Sequence, residues 1–253
     1  MELIDTHCHL DFSVFDEDRE TVLSGSRSRG VVGFVIPAVE RKTWNALLSF
    51  CANQSDCYFA LGLHPMFVHK HAIEDLAVLE TLLETVRPIA IGEIGLDFYK
   101  ESLDREKQIV LFERQLKIAR EVELPVILHV RKAHNEVLQC LKKTPVVGGI
   151  AHAFNGSFEQ AEQYARMGFK LGFGGMLTYE RSSKLRQLAK RLPKESIVLE
   201  TDAPDMVVSQ HRGERNSPEY IVHSLQALAD LREETPDEVA AWTTENAKQV
   251  LSI

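Results

Sequence analysis

Two histidines, His7 and His9, stand two residues apart where the first apolar run of the chain ends. Side chains of an extended segment alternate with period two, so both imidazoles project to one side and Cys8 to the other. Paired imidazoles at a strand end can grip a divalent metal ion, though one such pair is also an ordinary polar strand end. Further polar residues at comparable places tip the balance: His64, Glu93, Asp97, His129, Arg131, His152 and Asp202 each close a later apolar run. A carboxylate that ends an apolar strand suffers heavy desolvation unless paired or metal-bound, which singles out Glu93 and Asp202. His7, His9, Glu93, His129, His152 and Asp202 supply four imidazoles and two carboxylates, enough to hold two divalent ions. This thiolate-free set suits Zn²⁺, Mn²⁺ or Mg²⁺.

What must position these donors is a series of eight short apolar runs: 3–9, 30–39, 57–65, 88–97, 125–131, 146–152, 170–175 and 196–202. Each is nearly continuous, as expected of parallel strands covered on both faces. Between them the pattern turns helical. Residues 105–122 place Ile109, Phe112, Leu116 and Ala119 at three- and four-residue steps, and 72–86, 158–167 and 184–192 read similarly. Ser182 or Ser183 is a plausible cap for the last of these, and Pro125 separates a helix from the strand after it. A helix beginning Ser217-Pro-Glu-Tyr runs to about Arg232, and another opens at Thr235 with Pro236 at N1 and Glu238 completing a capping box. Eight βα units in one unbroken chain predict a single domain, residues 1–253, with the (β/α)8 TIM-barrel fold. An open doubly wound sheet is the competitor, but it gives no reason for the donor pattern. In a barrel all strand carboxyl ends share one rim, where active sites are built.

Composition narrows the function. The 253 residues are 44% hydrophobic and 26% charged, within the range of soluble globular proteins. A net charge of −8 without a long basic run argues against tight duplex binding, which rests on phosphate neutralisation. A pocket armed with metal ions remains able to take one strand end, because the ions bring their own positive charge. No apolar run approaches the roughly 20 residues of a membrane span, and the first residues do not resemble a signal peptide, so a cytoplasmic protein is expected. Cys8, Cys51, Cys57 and Cys140 form no C-x-x-C pair and read as free, mostly buried thiols. No stable protein partner is predicted.

His7-Cys-His9, Gly62-Leu-His-Pro65, Gly92-Glu-Ile-Gly-Leu-Asp97, His129-Val-Arg131, His152-Ala-Phe-Asn-Gly-Ser157 and Glu200-Thr-Asp-Ala-Pro204 occur in that order. Together they resemble the TatD family of metal-dependent hydrolases, among the amidohydrolase-like barrels. The resemblance implies a divalent-metal phosphoesterase, with deoxyribonuclease activity known in the family. It assigns His7, His9 and Asp202 to one metal, His129 and His152 to a second, and Glu93 to the bridge between them. Strand parity agrees, pairing Ile91 with Glu93, Ile127 with His129, Ile150 with His152 and Glu200 with Asp202. Glu200 either orients a metal-bound histidine or satisfies a buried polar contact.

Such a site would hydrolyse a phosphodiester by in-line attack of activated water, with Asp202 as general base and Glu93 as the second catalytic carboxylate. His64, Arg131 and, more weakly, Arg215 are candidate contacts to a phosphoester substrate, possibly a single-stranded DNA end. Met66, Phe67, Phe98 and Tyr99 could stack on a base, or simply anchor loops. The chain departs from the family pattern at Asp205-Met206, Arg215-Asn-Ser-Pro218 and Ala153; these changes spare the metal donors but alter the loops that meet substrate. The same constellation could serve an amide, a lactone or a deamination, and a non-catalytic metal-binding barrel is the reading of a different class.

Overall fold

Every apolar run becomes a strand, and each strand pairs in parallel with its sequence neighbour, in the order β1 to β8. The computed structural model describes all residues from Met1 to Ile253. The first half contains β1 (Leu3–Asp5), α1 (Arg19–Ser28), β2 (Val31–Pro37), α2 (Trp44–Ala52), β3 (Cys57–Leu61), α3 (Asp75–Leu83), β4 (Ala90–Asp97) and α4 (Arg105–Glu121). The second contains β5 (Val126–Arg131), α5 (His134–Lys143), β6 (Gly149–Ala151), α6 (Phe158–Arg166), β7 (Phe169–Phe173), α7 (Ser183–Arg191), β8 (Ile197–Leu199), α8 (Ile221–Arg232) and α9 (Pro236–Leu251). The ring is completed just beyond β1 and β8. There the Thr6 N–H donates to Leu199 O (3.1 Å), the Asp202 N–H to His7 O (2.8 Å) and the His9 N–H to Ala203 O (2.7 Å). The result is the expected (β/α)8 barrel. No helix is long and apolar enough to cross a membrane.

Two apolar layers hold it together. Ile4, Val35, Ala60, Ala90, Ile127, Ile150 and Val198 fill the barrel interior, and Ala247 and Leu251 of α9 pack onto them. The alternate side chains, among them Phe34, Leu96, Leu128 and Leu171, meet Phe112, Leu116 and Tyr164 of the helices in the outer layer. Truncating one such side chain to Ala typically costs about 2–5 kcal/mol.

Several predicted boundaries shift. The ladders are shorter than the apolar runs, so His7, His9, His64, His152 and Asp202 stand past the last paired residue. An apolar run reports burial, which continues into the loops after hydrogen-bonded pairing has stopped. Helices α1, α2 and α5 were not named from the periodicity. The capping box at Thr235 and Glu238 is present, whereas Ser182 ahead of α7 makes no side-chain cap bond.

Candidate metal centre

Several donors reach the rim by a local departure from regular strand. β1 stops at Asp5, whose buried carboxylate accepts the Thr201 hydroxyl (2.5 Å) and Thr201 N–H (2.9 Å). It also accepts the His7 N–H at 3.3 Å, so one carboxylate ties the end of β1 to the end of β8. Past this clamp His7 and His9 face the same space, with their Nε2 atoms 3.3 Å apart. Cys8 turns away into the outer core, as its parity required. Asp202 sits in the left-handed region at φ 58°, which aims its carboxylate back across the rim.

Glu93 arrives by a different route from the one predicted. Ile91 belongs to the outer core together with Ile94, so Ile91 and Glu93 do not share a face. The ladder between β4 and β5 slips between these two isoleucines, which reverses the alternation and swings Glu93 inward. Gly95 makes the close approach possible: with φ +143°, a Cβ there would lie 2.0 Å from the His129 carbonyl oxygen. The pairings of Ile127 with His129 and Ile150 with His152 follow simple parity, because both isoleucines line the interior below their histidines.

The side chains converge on two neighbouring spaces. In one, Glu93 Oε2 lies 3.3 Å from His7 Nε2 and 3.6 Å from His9 Nε2. Asp202 Oδ1 stands 3.6 Å and 3.8 Å from the same two nitrogens. A tetrahedral ion with bonds of about 2.1 Å needs donors about 3.4 Å apart, so this spacing fits Zn²⁺ or an ion of similar size. Glu93 Oε2 is buried and accepts no hydrogen bond, a donor left without a partner in the protein. In the other space, Glu93 Oε1 lies 3.1 Å from His129 Nδ1 and 3.2 Å from His152 Nε2. The two oxygens of one carboxylate thus address different histidines, and Oε1 has a third neighbour in His64 Nε2 at 3.0 Å.

The chain is similar along nearly its whole length to proteins already described. Residues 4–252 match the family model "TatD related DNase". The chain belongs to the TatD family. An Escherichia coli K12 TatD relative, the uncharacterized metal-dependent hydrolase YjjV, is 39% identical across 99% of this chain and 98% of its own. The crystal structure of YjjV superposes with a TM-score of 0.95 at 38% identity, covering 99% of this chain and 98% of that one. More distant is a protein of Erwinia tasmaniensis named 3'-5' ssDNA/RNA exonuclease TatD, 32% identical over 99% of this chain and all of that one. A metal-dependent hydrolase of the TatD family is therefore the frame for the remaining residues.

In this TatD barrel a further ring of groups holds the donors in place. Asp97 Oδ2 is 3.0 Å from His129 Nε2, leaving Nδ1 directed at Glu93. Glu200 lies 3.6 Å from His152 Nδ1 and accepts the Ala153 N–H at 2.6 Å. Glu200 fits only because residue 172 is glycine, where a Cβ would come within 2.0 Å of the carboxylate. Phe12 stacks on the His9 ring at 4.6 Å. The roles of Asp5 and Phe12 went unread in the sequence, although Asp5 is the nearest acid to His7 along the chain.

The electrostatics describe a cluster that favours a cation. Burial pushes His7 down to about 4 and His9 to about 3. Burial works against the charged form of Glu93, yet the neighbouring His64, His7 and His152 hold it well below the carboxylate range. Burial raises Asp202 to about 7, opposed by His152 and reinforced by Glu93 and Glu200. Burial depresses His152, but Glu93 and Asp202 more than reverse this and carry it well above its usual value. Protons are partitioned here among donors that a divalent ion would instead hold deprotonated.

The predicted substrate contacts fare differently. His64 Nδ1 accepts the Met66 N–H at 3.0 Å, which leaves the proton on Nε2, 3.0 Å from Glu93 Oε1. Arg131 is exposed, forms no ion pair, and lies over Tyr99 with Cζ 3.8 Å from the ring centre. Arg215 is engaged elsewhere: it makes a two-pronged pair with Asp18 at 2.6 and 3.0 Å, bonds Val14 O, and covers the Phe15 ring. Phe98 is buried, as a loop anchor is, whereas Tyr99 is 50% exposed. His134 is a satisfied core histidine between Tyr164 and Asn155.

Proposed function

We propose that this TatD-family hydrolase is a binuclear divalent-metal phosphodiesterase acting on the ends of single-stranded nucleic acid. The observation that carries the proposal is Glu93, whose two carboxylate oxygens face different histidines within 3.6 Å: Oε2 faces His7 and His9, and Oε1 faces His129, His152 and His64. The exonuclease name of the Erwinia relative supports the substrate class.

His7, His9 and Asp202 would hold one ion, His129 and His152 the other, with Glu93 between them. When bound, such ions lower the pKa of water and neutralise charge on the phosphoryl oxygens. Asp202 is the general base of this reading. Its side chain is 16% exposed, whereas those of Glu93 and Asp97 are 2% and 0%, so it is the carboxylate that an incoming water can reach. His64, whose Nε2–H points at Glu93 Oε1 3.0 Å away, would donate to a phosphoryl oxygen on turning from that carboxylate. Arg131, lying over Tyr99 and unpaired, would offer its fork to the next phosphate. Arg215 would act at one remove, bracing residues 14–18, which follow the Phe12 that stacks on His9.

The test is turnover by metal-loaded protein of 3′- and 5′-labelled single-stranded oligonucleotides, alongside a panel of lactones and amides. Loss of one label first is expected, with Asp202→Asn about 100- to 10,000-fold slower. Lactone or amide turnover with every phosphodiester left intact would sink the reading.

A further inference from the structure

On the same rim as the donors, the loop after β6 and the loop before α7 border two adjoining cavities. One of about 460 Å³ is lined by Asn155, Met176, Arg181 and Lys184 among others. The other, of about 210 Å³, is lined by Phe158, Lys184, Gln187 and Arg191 among others. They share Gly156, Lys184 and Leu188, so they form one groove. Its upper end begins at Asn155, three residues past His152. No acidic residue lines either cavity.

The charges in this groove are unusual for a chain of net charge −8. Arg181, Lys184 and Arg191 are all exposed, and none lies within ion-pair distance of a carboxylate. The other cations of α7 are occupied, Lys190 by Glu233 at 3.1 Å and Arg186 by the Leu177 carbonyl. Arg181 and Arg191 lie over the rings of Tyr179 and Phe158, at 5.2 and 4.6 Å. Met176, Leu185 and Leu188 add apolar surface between the cations. Alternating cations and apolar surface is the pattern that tracks the backbone of a single strand while its bases pack.

We propose that this groove binds the phosphate backbone of a single-stranded polynucleotide whose end lies at the metal centre, with Arg181, Lys184 and Arg191 as the phosphate contacts. The inference rests on the phosphodiester reading above for the direction of the strand, and on the groove itself for binding. It makes affinity depend on length: a dinucleotide fills the metal site alone, whereas a longer strand also fills the groove.

The test compares binding of a fluorescent, hydrolysis-resistant phosphorothioate 12-mer with that of the matching dinucleotide, by anisotropy on full-length, metal-loaded protein. In the triple variant Arg181→Ala/Lys184→Ala/Arg191→Ala the preference for the 12-mer is expected to fall at least tenfold. The slope of log affinity against log salt should drop by about 2, at about 0.7 per phosphate contact for single strands. A control triple, Arg114→Ala/Lys117→Ala/Arg120→Ala, removes the same charge from the exposed face of α4 and should leave the length preference intact. Equal loss in both triples, or an unchanged preference and slope in the first, overturns the groove. If circular dichroism shows the first triple unfolded, Lys184→Glu alone decides by the same criteria. Hydrolysis is read separately on unmodified oligonucleotides. Groove-dependent binding without cleavage retires the phosphodiester reading and keeps the groove, and cleavage with groove-independent binding does the reverse.

Discussion

Asp97 Oδ2 lies 3.0 Å from His129 Nε2, and the opposite nitrogen of that ring lies 3.1 Å from Glu93 Oε1. The carboxylate thereby determines which nitrogen of His129 is available to a metal. Groups that orient ligating histidines in this way typically contribute 10- to 100-fold in metal affinity. Asp97→Asn should keep the fold by circular dichroism and weaken metal binding by about that factor in a chelator competition titration. Unchanged affinity would show that Asp97 is only a buried acid with a convenient neighbour.

Glu93→Gln tests the bridge itself. The amide keeps the shape but loses one acceptor oxygen and the charge. Elemental analysis should show the metal content falling from about two ions per chain to one or fewer, with activity down by several orders of magnitude. Full occupancy in the variant would refute the bridging role.

Chelation should destabilise the whole barrel, because the donors come from strands on both sides of the ring. An ion present at a thousandfold over its Kd contributes about 4 kcal/mol. For a chain of this length the melting temperature should fall by roughly 10 °C on removing it. Identical melting curves with and without chelator would mean that the donors are organised without metal.

Gly172→Ala places a methyl group where the Glu200 carboxylate now stands, 2.0 Å away. The carboxylate must move, and the Ala153 N–H and His152 lose their neighbour. Activity should fall by more than tenfold, and Glu200→Gln should do less harm than the glycine change. A Gly172→Ala enzyme with wild-type turnover would show that Glu200 is dispensable.

Acid stability has a predictable component away from the site. Asp75 is buried at the first position of α3; burial alone would raise its pKa, but the Ala72 N–H and Arg41, each at 2.8 Å, hold it below the usual carboxylate range. A carboxyl depressed in the folded state stabilises above its unfolded pKa of about 3.9, and that stability is lost as pH falls through the folded value. Asp75→Asn should therefore cost about 1 kcal/mol at neutral pH and progressively less below pH 4, as read from urea midpoints. A constant difference across pH would contradict this assignment.

The residue order alone determined the barrel and the composition of the rim. Eight buried parallel strands must be apolar almost throughout, so they stand out as runs, and polar donors that close such runs are conspicuous. His7 and His9 could be placed on one side of the chain because parity between neighbours needs no tertiary information. The tertiary structure decided what depends on irregularity or on distant partners. The slip between Ile91 and Ile94 put Glu93 on the opposite face from simple alternation, and no periodicity encodes a slip. Asp5 became a clamp only because Thr201, 196 residues away, folds beside it. Arg131 at a strand end and, more weakly, Arg215 in a loop are both candidate substrate contacts in the sequence; packing left the first free over Tyr99 and gave the second to Asp18. Residue type and local period follow from the sequence itself, but which of two candidate side chains is free depends on what the fold brings against it.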